Sequence, residues 1–106
     1  MTVKIIPNVS NSPVGKLADA ELHFDDGPLA GLKLIGFGIW ERNGGVSRGR
    51  NVTFPARQYT VNTERRSFAL LRPITDAVAS DQVRQRILEA FVEHEEQRAV
   101  AQEAGV

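Results

Sequence analysis

The chain has 106 residues, 42% hydrophobic and 25% charged, with 13 basic side chains against 13 acidic ones. That length suits one domain, which buries roughly 60–70% of the surface its unfolded chain exposes. With no cysteine, disulfides, thiolate metal sites and a cysteine nucleophile are excluded, and a cytoplasmic setting is expected. Residues 1–7 carry no long apolar run and no small-residue cleavage pattern, so neither a signal peptide nor a membrane span is expected.

Thr2 to Ile6 is a short apolar run stopped by Pro7, and Asn8 to Gly15 has the composition of a loop. From Leu17 the chain alternates. Ala18, Ala20, Leu22 and Phe24 fall on one face and Asp19, Glu21 and His23 on the other, the pattern of a half-buried strand. Asp25-Asp26-Gly27-Pro28 ends it with turn chemistry. Leu32 to Trp40 is the most apolar strand, and its alternation changes phase at Gly36. A bulge at that glycine explains the slip; a strand covered on both faces is the alternative. Glu41 to Gly45 reads as a hairpin turn around Asn43-Gly44.

Val46 to Phe54 returns as a strand, and Pro55 marks an edge or a strand end. Gln58 to Arg66 reads as a polar loop or hairpin tip, and Phe68 to Leu71 as a last strand closed by Pro73. Thr75 and Ser80 are candidate N-caps, with Asp76 and Asp81 in the first turn. Val83, Ile87, Ala90 and Phe91 then recur at helical spacing beside Leu88. The expected fold is α+β: an antiparallel sheet of four or five strands with one C-terminal helix. The domain spans residues 1–98, and residues 99–106 form a frayed tail. A helix of about 18 residues, near 27 Å long, covers one face of such a sheet. Phe37, Ile39 and Trp40 are therefore expected to face a second copy.

The neutral total conceals segregation. Residues 1–40 carry three lysines against four acids, residues 41–75 seven arginines against two acids, and residues 76–106 three arginines against seven acids. The arginine-rich third holds Arg42, Arg48, Arg50, Arg57, Arg65, Arg66 and Arg72. Guanidinium binds phosphate through a planar fork, and glycines near a hairpin tip let backbone amides approach closely. Trp40 and Tyr59 are candidates to stack on bases. The competing reading is a solvated sheet edge neutralised by the acidic helix.

No motif makes a catalytic case. Gly45-Val46-Ser47-Arg48-Gly49 matches the nucleophile-elbow pattern, but that chemistry requires a strand before the serine and a helix after it. His94-Glu95-Glu96-Gln97-Arg98 begins like a metalloprotease helix and has arginine where the second histidine belongs. His23 falls on the polar face of its strand, and Asp25-Asp26 suits a turn. No metal or cofactor is expected, and the chain is not expected to be an enzyme.

Val52-Thr53-Phe54-Pro55-Ala56-Arg57, then Arg72-Pro73-Ile74 and a terminal helix over Ser80 to Glu96, follow the strand Ala18 to Phe24, the turn Asp25-Asp26 and the strand Leu32 to Ile39. In order and spacing these stretches resemble the stage V sporulation protein G (SpoVG) family of small bacterial nucleic-acid-binding regulators, over roughly Leu17 to Glu96. The resemblance implies a non-enzymatic regulator, a homodimer built through strands, and nucleic acid as partner. Two positions depart from the family. Gln58 stands where a lysine is common, and the helix is acidic, with only Arg84 and Arg86 as cations in its first half. The alternative expectation is a protein–protein interaction module, accessory or inhibitory, without nucleic-acid binding.

Overall fold

The structure, a computed structural model, describes residues 1–10, 13–42 and 49–104. Four strands, β1 (Thr2–Pro7), β2 (Lys16–His23), β3 (Lys33–Arg42) and β4 (Gly49–Thr53), form an antiparallel sheet in the order β1-β2-β3-β4. A separate two-stranded ribbon, β5 (Ala56–Val61) and β6 (Glu64–Ala69), follows, then one helix, α1 (Val78–Ala104). The molecule is α+β as expected. The stretch Gln58 to Arg66, expected as a polar loop or hairpin tip, is mostly strand, and the last strand, expected at Phe68 to Leu71, pairs with β5 as part of β6 rather than joining the main sheet.

The alternation of β2 sets the core. Ala18, Ala20 and Leu22 are buried together with Phe37, Ile39, Val52, Ile87 and Phe91. Burying each large apolar side chain stabilises the fold by roughly 1.5–3 kcal/mol. The phase change in β3 is a bulge. Ala20 pairs with Phe37 and Leu22 with Leu34, so β3 advances three residues where β2 advances two. Gly36 takes the bulge conformation with φ +104°, which side chains rarely adopt. Beyond it, Phe37 and Ile39 turn to the helix side and are 0% exposed.

This corrects the expectation that Phe37 and Ile39 face a second copy. The bulge puts them under the chain's own helix, with the Phe37 ring edge-on to Phe54 at 5.3 Å. Trp40 lies on the opposite, open face, which no helix covers. There its indole Nε1 donates to Thr53 Oγ1 at 2.9 Å. The ring lies over Gly38, where an added Cβ would fall 2.7 Å from Nε1.

Helix α1 starts between the two expected caps. The Asp76 carboxylate accepts the backbone N–H of Val78 at 3.0 Å, which leaves Thr75 outside and Ser80 within the first turn. Val83, Ile87 and Phe91 face the sheet with Leu88 beside them. The helix packs against β1 and β4, the two edge strands. It then continues to Ala104, past the expected end at Arg98. Glu95 still pairs with Arg50 of β4, and from Glu96 to Ala101 every residue is exposed.

Chain exit from the sheet depends on the same bulge. Pro55 is buried, and a Cβ on Gly36 would lie 2.9 Å from the Pro55 Cβ. The proline seats on the bare glycine, and without a backbone N–H it does not extend the ladder. Leu70 N–H donates to the Pro55 carbonyl at 2.8 Å, which closes the base of the ribbon. Gly36→Ala should therefore destabilise the fold by roughly 1–3 kcal/mol in urea unfolding, combining backbone strain with the Pro55 clash. At Gly49 no atom of the described residues other than its chain neighbours lies within 4 Å of an added Cβ, so Gly49→Ala should stay within about 0.5 kcal/mol of the parent.

Candidate nucleic-acid interface

The described arginine side chains of the basic third fall in two environments, against the helix and on the ribbon. Arg42 ends β3, opposite Gly49. Arg48 lies outside the described residues, as do Ser47 and the expected turn from Asn43 to Gly45. Arg50 is committed to the helix. Its guanidinium lies 4.8 Å from the centroid of the Phe91 ring and pairs with Glu95 at 2.7 Å. At this position the neutralisation reading holds, and sequence reasoning misplaced the residue because its partner is forty-five positions away.

Arg57, Arg65 and Arg66 stand on the β5–β6 ribbon, and Arg72 is exposed just beyond it. Arg66 is paired with Glu64 at 3.0 Å. Among the described residues Arg57, Arg65 and Arg72 have no ion pair. The ribbon turns at Asn62 and Thr63, with φ of 50° and 65°, the two-residue geometry that suits strand twist. Asparagine adopts it readily; threonine does so less often.

Register places the side chains. Arg57 lies opposite Phe68 and Tyr59 opposite Arg66, and opposed residues of an antiparallel pair share a face. Two guanidinium side chains and two rings thus form one diagonal quartet. Tyr59 and Phe68 are 39% and 40% exposed, with their centroids 5.6 Å apart. From the sequence, Tyr59 is a stacking candidate and Phe68 only the start of a last strand; the period-two spacing of Arg57, Tyr59 and Val61 is the signal that pairs them. Strands of six residues make an arm about 20 Å long, a shape that enters a duplex major groove. Its cations can engage phosphate, and its rings can stack on unpaired bases.

The open face of the main sheet is electrostatically different. Glu21 accepts from His23 at 3.0 Å and Lys33 at 3.4 Å, and the bond with His23, together with Lys33, holds its carboxyl below the usual carboxylate range. Lys16 pairs with Asp19 at 2.6 Å. This mesh neutralises itself. Trp40, with its Nε1 already bonded and Lys16 lying 5.7 Å from its ring centroid, is not a free base platform.

Among the described residues no cluster of three or more His, Asp or Glu side chains could hold a metal, and no helix is long and apolar enough to cross a membrane. No family model matches the chain, and neither a curated protein nor a solved structure matches it.

The arginines divide into structural and available sets, and this is measurable. Arg50→Ala should destabilise the fold, since it removes both the cover on Phe91 and the Glu95 pair; the pair alone accounts for about 0.2–1 kcal/mol. Arg57→Ala should leave the urea midpoint nearly unchanged. Equal destabilisation by the two would contradict the division.

Proposed function

We propose that this chain is a non-enzymatic, SpoVG-like regulator that binds nucleic acid through the β5–β6 arm. The observation that supports it is the exposed quartet Arg57, Tyr59, Arg66 and Phe68 on one ribbon face, with Arg65 on the other face and Arg72 at the base. Arginine supplies sequence-independent phosphate contact, and the rings add stacking where bases are unpaired. Arg50 is left out of this surface, because freeing it would require breaking its contacts with the helix. A protein–protein interaction module without nucleic-acid binding is the second reading, favoured by the exposed acidic end of α1.

Fluorescence anisotropy with labelled duplex and single-stranded oligonucleotides tests the proposal. Affinity should fall steeply with salt. Combined Arg57→Ala, Arg65→Ala and Arg66→Ala should weaken binding to all sequences alike, and should flatten the log–log salt slope by about 0.9 for each duplex phosphate that the variant no longer neutralises. Arg84 and Arg86 serve as the comparison, being engaged by Asp81 and the Met1 carbonyl. Loss of binding on their replacement alone, or no binding to any oligonucleotide at low salt, would reject the arm as a nucleic-acid surface.

A further inference from the structure

Two elements of this chain lack the support that such elements need. An isolated two-stranded hairpin is marginal in water, yet β5 and β6 pack principally on each other. A helix gains most of its stability from tertiary packing, yet α1 runs beyond its last contact with the sheet, the Arg50–Glu95 pair, with every residue exposed from Glu96 to Ala101. The surface reflects both. The chain exposes 8155 Å², against roughly 5,900 Å² for a compact monomer of 11.7 kDa. Its radius of gyration is 16.0 Å, where roughly 13 Å is typical of this length. The excess surface exceeds the roughly 800 Å² per partner that a standard stable interface removes.

The two unsupported elements are complementary. Val92 and Val100 are apolar positions on the side of α1 away from Ile87 and Phe91, with Leu88 at the border of the core and Glu89, Glu93 and Glu96 beside them in shallow grooves. Val92 and Val100 are exposed. Val92 and Val100 lie two turns apart, about 12 Å, with Glu96 on the turn between them. The ribbon quartet, about 7 Å along the strands, has exposed rings and carries Arg57 and Arg66, the latter paired with Glu64. Two copies of the α1 stripe would bring glutamates against glutamates, which is disfavoured. The ribbon offers arginines and aromatic surface instead.

We infer that the acidic stripe of α1 receives the β5–β6 arm of a second copy of this chain. Each arm covers the other copy's helix end in a two-fold exchange, which closes the assembly. The Tyr59 and Phe68 rings, 5.6 Å apart, seat together on Val92, while Glu93 and Glu96 meet Arg57 and Arg66. This interface lies away from Phe37 and Ile39, which are already covered. Nucleic acid and the helix would compete for the same arm, yet the inference stands without nucleic-acid binding, and its test uses none.

Sedimentation equilibrium of the whole protein in low and high salt, with a charge-swap pair, decides it. Wild type should associate at low salt and dissociate as salt rises. The arm variant Arg57→Glu/Arg66→Glu and the helix variant Glu93→Arg/Glu96→Arg should each weaken self-association at least about tenfold. An equimolar mixture of the two should restore association, because the reversed charges then oppose again. All four sites are on the surface, and unchanged circular dichroism identifies folded variants. The helix variant leaves the arm intact and so separates this interface from nucleic-acid binding. Monomeric wild type at every concentration, variants that associate like wild type, or a mixture that stays monomeric would each overturn the inference.

Discussion

The seat of Pro55 on Gly36 is the contact on which the rest of the molecule depends. A glycine at this point does two things that no other residue can do together. It adopts the positive φ of a bulge, and it leaves room for a proline ring that a Cβ would meet at 2.9 Å. The first shifts the register of β3 so that Phe37 and Ile39 point at the helix. The second ends the sheet at β4 and sends the chain out as an arm. Core composition and arm position thus come from one residue.

Charge is arranged by the same division. The arginine-rich stretch looks continuous in sequence, but its members end in different environments. Arg50 and, from the helix, Arg84 lie over the rings of Phe91 and Phe54. There their stems and guanidinium planes cover aromatic surface while their charge stays near solvent. They close the open side of the core beneath α1. Arg57 and Arg65 project from a ribbon with no acid paired to them among the described residues. An anion can approach the second set without disturbing the fold, and can reach the first only at the cost of helix packing. The proposed binding surface is therefore the arm alone.

Much of the body was legible in the sequence. Ala18, Ala20 and Leu22 revealed their buried face by strict alternation, Gly36 revealed the bulge by the phase slip around it, and Ile87 and Phe91 revealed the helix face by spacing. Three features were not legible. The arm was hidden because both its strands are exposed on both faces, so no contrast between buried and solvated positions marks their length. The helix end was hidden because Ala99 to Ala104 carries strong helix formers without an apolar period that meets the sheet. Arg50 was hidden because its partners lie in an element far along the chain. The expectation about Phe37 and Ile39 failed for a connected reason: a phase slip marks where a bulge falls, but not which of the two faces the helix will cover beyond it.

Hydrogen exchange followed across protein concentration tests most directly whether the arm and the helix end are supported only by each other, between copies. In dilute, high-salt solution the β2–β3 ladder and the helix around Ile87 should be strongly protected, while the amides of Tyr59 to Ser67 and of the helix beyond Glu95 exchange quickly. On concentration at low salt, protection of the arm and of the helix end should rise together, with β2 and β3 unchanged. An arm as protected as β3 at every concentration, or one whose protection rises while the helix end stays open, would contradict it.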